Sequence, residues 1–149
     1  MRSKSENIEK LKTLVEELTI RDANVFRRKS VLEDIIEAAS DGIWEWNLQD
    51  NTAFLSPNYK AQLGYKDDEL PNTPETWNKL MYDDDLIKMG ETLKEHIESK
   101  GKKPFRVVAR YEHKDGSEVR ILCRGKVIEW ADNGEPIKMV GLHIDLTNI

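Results

Sequence analysis

The sequence has few of the residues that cross-link a chain or anchor it in a membrane. Cys123 is the only cysteine among 149 residues, so the chain can form neither an internal disulfide nor a thiolate metal site. No apolar run approaches the roughly 18 residues that a membrane span requires, and no stretch has the charged-then-apolar layout of a secretory signal. We therefore expect a soluble globular protein of the cytoplasm, without insertion into a membrane.

Basic charge and catalytic motifs are also scarce. The chain carries 23 Lys and Arg against 28 Asp and Glu, for a net charge of -5. Because phosphate binding normally needs a clustered basic surface, we expect no nucleic-acid partner. There is no glycine-rich phosphate loop and no nucleophile with a base at a recognisable spacing. The chain itself is therefore predicted not to be an enzyme.

The N-terminal 30 residues carry a narrow apolar stripe. Its spacings alternate between three and four, with polar interruptions at Asp22 and Lys29, which indicates a heptad-like helix. The residues predicted to form its pairing face are Ile8, Leu11, Val15, Leu18 and Val25. Because so narrow a stripe cannot bury itself on one helix, we predict that residues 1–30 pair with a second copy to form a homodimer. Packing on the chain's own domain and a frayed arm are the alternatives.

A second domain is predicted over residues 31–149. Ser30 followed by Glu33 has the form of a capping box, so a new helix, or a reset of the first, is expected at Val31. Beyond Ser40 the periodicity changes to two, which places Trp44 and Trp46 on one face of a strand over residues 43–48. Turn residues at 49–51 precede a second strand over 52–55.

Short helices and then three strands follow. Ser56-Pro57 and Thr73-Pro74 each combine a capping residue with proline at the first helical position. Three aspartates at 83–85 open a longer amphipathic helix that Gly101 ends. Alternating segments over 105–111, 119–130 and 137–146 are separated by Asp-Gly and Asn-Gly turns, which are strong hairpin signals. These patterns predict an α+β fold with one five-stranded antiparallel sheet and short helices on one face.

Several short motifs occur in an order that resembles a PAS domain, of the subgroup often found in bacterial sensor proteins. They are Asp41-Gly42-Ile43-Trp44-Glu45-Trp46, Leu55-Ser56-Pro57-Asn58, Leu63-Gly64-Tyr65, Tyr82-Asp83-Asp84-Asp85, Lys114-Asp115-Gly116-Ser117 and Asp145-Leu146-Thr147. The resemblance covers about residues 31–147. It implies a sheet in the order 2-1-5-4-3 with helices enclosing a pocket, and a sensory or dimerising module. A downstream effector domain, such as a histidine kinase or a GGDEF/EAL-type cyclic-dinucleotide enzyme, would follow residue 149.

The closing motif has its own implied role. In PAS proteins the last strand commonly ends in Asp-Ile-Thr, which leads into the helix that enters the output domain. Here Asp145-Leu146-Thr147 matches with a leucine in the middle, and both Asp145 and Thr147 can cap a following helix. We predict that these two residues transfer the signal; the alternative is a frayed terminus with a chance match.

The resemblance implies no haem, flavin or metal. Light-sensing relatives carry a reactive cysteine in a segment that corresponds to residues 61–70, which has none, and Cys123 lies on a predicted strand. Haem-binding relatives use a histidine near the middle of the long helix, where Gly90 lies here. His96 falls near the helix end, where we expect a surface or boundary residue, and it shares no metal-site spacing with His113 or His143.

Two possibilities remain for the predicted pocket: it binds a small organic ligand, or it binds no ligand. The candidate pocket residues are Trp44, Trp46, Phe54, Tyr59, Leu63, Trp77, Leu93, Ile97 and Val107. Each of them could equally be an ordinary core residue. The sequence therefore leaves two interpretations open, a ligand-sensing relay and a cofactor-free dimerisation module.

Overall fold

A computed structural model of the chain describes residues 4–147, except for the side chains of residues 24–27, 29 and 30. The chain divides into two compact units, Met1–Ala39 and Ser40–Ile149. The boundary predicted at residues 30 and 31 lies inside a continuous helix instead. None of the helices in the described part of the chain is long and apolar enough to cross a membrane.

The first unit is one helix, α1, which spans Lys4–Ala38. It continues past residue 30 because neither glycine nor proline occurs anywhere along it. It ends just before Ser40, whose φ of 59° is left-handed and incompatible with a further helical turn.

One face of α1 leaves its apolar side chains in contact with solvent. Ile8, Leu11, Val15 and Leu18 are 47–61% exposed. Val25, the fifth residue predicted for the pairing face, lies among the side chains outside the described part of the chain. The stripe is therefore available to a partner surface along its first three turns.

The second unit contains the sheet and its covering helices. The strands are β1 (Gly42–Asn47), β2 (Thr52–Leu55), β3 (Phe105–Glu112), β4 (Glu118–Trp130) and β5 (Pro136–Asp145). The helices are α2 (Pro57–Gln62), α3 (Pro74–Leu80) and α4 (Asp83–Glu98), with a single 3-10 turn at Asp67–Glu69. All strand pairs are antiparallel and the order is β2-β1-β5-β4-β3. The predicted fold class and strand order are confirmed.

The two proline-started helices begin differently. Ser56 precedes α2, and its Oγ accepts hydrogen bonds from the Tyr59 and Ile43 backbone N–H groups, at 3.3 and 2.9 Å. Thr73 occupies the same position before α3, but its buried hydroxyl has no partner in the described structure. Only the first of the two predicted caps is therefore formed by its side chain.

Three glycines on the inner face of the sheet allow Trp44 and the helix α2 to approach it closely. Gly141 of β5 and Gly125 of β4 stand side by side next to Trp44 of β1. A Cβ on Gly141 would lie 2.3 Å from the Trp44 ring, and one on Gly125 would lie 2.6 Å from it. A Cβ on Gly42 would lie 2.7 Å from the Cα of Tyr59, so α2 approaches the sheet only because residue 42 is glycine.

Candidate ligand cavity

A small cavity lies between the inner face of the sheet and the helices α2, α3 and α4. About 30 Å³ is open to the centre of a water molecule, which is room for about two waters. Its walls are Trp44, Trp46, Tyr59, Trp77, Met89, Leu93, Phe105, Tyr111, Cys123, Met139 and His143. None of these side chains carries a formal charge at neutral pH. Trp46, Met89 and Leu93 are only partly buried, so the solvent-facing mouth lies on their side.

Five of the nine predicted pocket residues line this cavity: Trp44, Trp46, Tyr59, Trp77 and Leu93. The other four lie elsewhere. Leu63 and Val107 are buried in the core, with 0% and 3% exposure, but do not reach the cavity.

Phe54 and Ile97 are not among the residues that line this cavity. Phe54 is 42% exposed because Leu55, which alternates with it on β2, takes the inward position. Ile97 is half-buried and lies outside the cavity, because His96 takes the inward position at that end of α4, with 1% exposure.

Two of the three indoles that wall the cavity donate their N–H groups to other parts of the chain. The Trp44 Nε1–H donates to the Leu142 carbonyl at 3.2 Å, and the Trp46 Nε1–H donates to Asn51 Oδ1 at 3.0 Å. Trp46 meets Trp77 edge to face, with ring centroids 5.4 Å apart. Trp44 and Trp46 therefore contribute apolar surface to the cavity and no free donor.

His143 is the polar residue that stands out in the wall. It is fully buried, stacks on the Tyr59 ring at 3.8 Å and meets Tyr111 edge to face at 5.1 Å. Its Nδ1 lies 2.7 Å from Gln62 Oε1. The Gln62 amide nitrogen donates to the His143 and Ser40 carbonyls, so Gln62 Oε1 is the acceptor and Nδ1 carries the proton.

The second ring nitrogen of His143 has no partner. In the neutral ring with a protonated Nδ1, Nε2 is a hydrogen-bond acceptor. This Nε2 is buried and has no donor among the described residues. A buried acceptor without a donor costs free energy that a bound donor would recover.

The titratable groups of the cavity are all held neutral by burial. Burial lowers the pKa of His143 to about 3. Burial also raises the pKa of the Cys123 thiol to about 11, with the Tyr111 hydrogen bond acting in the opposite direction. The pKa values of Tyr59 and Tyr111 are likewise raised, mainly by burial. The cavity is therefore uncharged over the whole physiological pH range.

The residues present do not fit haem or flavin. The prediction of a surface or boundary position for His96 is wrong, because the side chain is buried, with 1% exposure. Both ring nitrogens are engaged: Nδ1 lies 2.7 Å from the Lys103 carbonyl, and Nε2 accepts from the Val127 N–H at 3.1 Å. The only thiol, Cys123, is buried on β4 and kept protonated. A cavity of this volume is also far smaller than a flavin ring system needs. Among the described residues no His, Cys, Asp and Glu side chains cluster as metal ligands.

The strand β5 joins the cavity to the predicted signal-transfer residues. Met139 and His143 on this strand line the cavity, and Asp145 is its last residue. The Thr147 N–H donates to Asp145 Oδ1 at 2.8 Å, and the Leu146 N–H donates to the Arg120 carbonyl at 2.9 Å. Asp145 thus stabilises a tight turn directly after the strand.

Sequence reasoning missed six residues of the cavity wall: Met89, Phe105, Tyr111, Cys123, Met139 and His143. For Phe105 and Tyr111 a signal was available, because they share one face of an alternating strand. His143 follows Met139 and Gly141 in the same alternation on β5. Its isolated nitrogen, by contrast, depends on the packing of Gln62 and Tyr59, which no local pattern predicts.

Comparison with known proteins identifies the fold family. The family model of the PAS fold matches residues 52–143. The structure of a sensory box histidine kinase/response regulator from Burkholderia thailandensis is 32% identical with a TM-score of 0.68, and the match covers 78% of this chain and 84% of that chain. No curated protein sequence matches.

Two more distant structures share the fold. The N-terminal domain of a diguanylate cyclase with a PAS/PAC sensor from Marinobacter aquaeolei is 22% identical with a TM-score of 0.60, covering 72% of this chain and 95% of that chain. A light-oxygen-voltage domain described with a flavin analogue is 16% identical with a TM-score of 0.57, covering 79% and 86%. Together with the strand order 2-1-5-4-3, these matches show that the chain belongs to the PAS fold family, as a sensory domain of a signalling protein.

Proposed function

We propose that this chain is a cytoplasmic ligand sensor that controls an effector domain following residue 149. The observation that carries the proposal is that β5 both lines the cavity, through Met139 and His143, and ends in the Asp145 turn. A ligand that changes the packing of β5 alters the position of that turn. The change reaches the effector through the segment that Asp145 and Thr147 begin.

Two similar proteins support a choice of effector class. One similar protein is a sensory box histidine kinase and another is a diguanylate cyclase. The signal in this chain would thus be passed to a histidine kinase or to a cyclic-dinucleotide enzyme. Ligand binding shifts an existing equilibrium between two packings of the domain, by no more than the ligand's difference in affinity for the two.

The N-terminal helix completes the proposed relay. The exposed stripe at Ile8, Leu11, Val15 and Leu18 has the spacing of a coiled-coil seam. We propose that it pairs with the same helix of a second chain, so that two sensor domains act on two effectors together.

The test of ligand sensing compares two variants of α4. Leu93→Trp fills the mouth of the cavity, whereas Ile87→Trp places the same ring on a 64% exposed position of the same helix. Protein purified from its own host is examined by native mass spectrometry and absorption spectroscopy. We expect a bound compound in the wild type and in Ile87→Trp, and its loss in Leu93→Trp. A wild-type mass equal to that of the bare chain contradicts ligand sensing.

A second candidate function is supported by the small size of the cavity. Because only about 30 Å³ is open between the wall side chains, the chain could act as a cofactor-free module that pairs effectors and holds no ligand. The same spectra distinguish the two functions, since this alternative predicts a dimer without any bound mass.

A further inference from the structure

His143, which lines the cavity, has one ring nitrogen without a hydrogen-bond partner among the described residues. Among the described wall residues, His143 Nε2 is the buried side-chain nitrogen or oxygen that has no hydrogen-bond partner. The Tyr111 hydroxyl lies 3.5 Å from Cys123 Sγ, and the N–H groups of Trp44 and Trp46 donate to the Leu142 carbonyl and to Asn51 Oδ1. A ligand that enters therefore meets an acceptor and no free cation or anion.

Gln62 fixes the role of this nitrogen. The Gln62 amide is held by two backbone carbonyls, those of Ser40 and His143, so its oxygen faces Nδ1. The proton cannot move from Nδ1 to Nε2 without breaking that hydrogen bond, because Gln62 Oε1 accepts and cannot donate. His143 Nε2 is thus preset as an acceptor that recognises O–H or N–H donors.

The remaining wall selects for shape and charge. Aromatic rings from Trp44, Trp46, Trp77 and Phe105 surround the space, and such walls favour a flat ring that packs edge to face or offset. An ionised ligand would lose its hydration without gaining a counter-charge, because no charged side chain lines the cavity. The small volume limits the ligand to one ring, admitted when the flexible Met89 and the partly buried Leu93 move aside.

We infer that the cavity binds a small, neutral, single-ring ligand that carries a hydrogen-bond donor, phenol-like in its chemistry, and that His143 Nε2 accepts the ligand's hydrogen bond. This inference rests on the proposed function and adds the chemical class of its ligand. The donor distinguishes the ligand from an apolar ring of the same shape. His143 therefore determines specificity, while the aromatic wall supplies affinity for either ring.

The experiment uses phenol and toluene as matched probes, because they differ only by a hydroxyl in place of a methyl group. Binding of each to the 149-residue chain is measured by titration calorimetry and by shifts of the tryptophan N–H resonances. We expect phenol to bind about fivefold to tenfold more tightly than toluene. His143→Phe, which keeps a ring against Tyr59, is expected to remove that preference, whereas the control His113→Asn, in a turn outside the cavity, is expected to keep it.

A second measurement does not depend on whether His143→Phe folds. The ¹⁵N resonance of His143 Nε2 in the wild-type chain is expected to move upfield when phenol is added and to stay in place with toluene. Equal binding of both probes, with no movement of that resonance, overturns the role of His143 and leaves a ligand cavity. Absence of binding by both probes overturns the ligand class and removes support from ligand sensing as well.

Discussion

The buried neutral His143 makes the stability of the domain depend on pH. In the folded chain its pKa is about 3, against an ordinary value of 6.5 for an exposed ring. As the pH falls below 6.5, the unfolded chain takes up a proton at this position and the folded chain does not. Stability is therefore complete above pH 6.5 and is lost progressively as the pH falls toward 3.

The magnitude follows from the difference in protonation. Between pH 7.5 and 5.5 the folded ring stays neutral while the unfolded ring becomes mostly protonated, so the free energy of unfolding falls by about 1.4 kcal/mol. The neighbours of His143 are Gln62, Tyr59, Tyr111 and Cys123. The last three stay protonated over this interval because their pKa values are raised, so none of these groups titrates together with the imidazole.

The assay is urea unfolding at pH 7.5, 6.5 and 5.5, followed by tryptophan fluorescence. Other groups also titrate, so the informative quantity is the difference between the wild type and His143→Phe, which cannot take up this proton. We expect the wild type to lose about 1.4 kcal/mol more than the variant over this pH range. Equal losses in the two proteins, or a His143 ring resonance that titrates near pH 6.5 in the folded chain, would refute the reasoning.

Three further predictions concern stability and assembly. Gly141→Ala is expected to lower the free energy of unfolding by about 3 kcal/mol or more, because its Cβ would lie 2.0 Å from a backbone oxygen. Gly90→Ala, on the open face of α4, is expected to raise the free energy of unfolding by about 0.5–1 kcal/mol. Chemical denaturation measures both changes, and a Gly141→Ala protein as stable as the wild type contradicts the close approach. Ser56→Ala is expected to lower the free energy of unfolding by about 1–2 kcal/mol, because it removes the cap of α2. Thr73→Val, which replaces an unpartnered hydroxyl, is expected to leave the free energy of unfolding unchanged or to raise it in the same assay. Similar losses of stability in both variants would count against the assigned cap. Leu11→Asp is expected to convert a dimer into a monomer, as measured by light scattering, because it places a charge in the pairing face of α1. The unfolding of the sheet unit should be unchanged. A persistent dimer would exclude the α1 stripe as the pairing face.

In the N-terminal helix, a local capping pattern did not determine where the helix is divided. The capping-box pattern at Ser30 and Glu33 predicted a new helix, or a reset of the first, at Val31, but α1 continues without a break to Ala38. A cap stabilises a helix start only by about 1 kcal/mol, and no helix-breaking residue accompanies it here. The unit boundary falls instead between Ala39 and Ser40, beside the left-handed φ of Ser40.

The sequence by itself determined the order and type of the elements, because alternation, capping and turn residues act over a few positions. The strand order came from the resemblance and is confirmed. Only the tertiary structure decided what the cavity can recognise. Which inward residues meet depends on the close approach permitted by Gly42, Gly125 and Gly141, and the unpartnered nitrogen of His143 exists because Gln62, from a distant helix, occupies the other side of its ring. Contacts between residues far apart in the chain set that chemistry, and no short-range pattern records them.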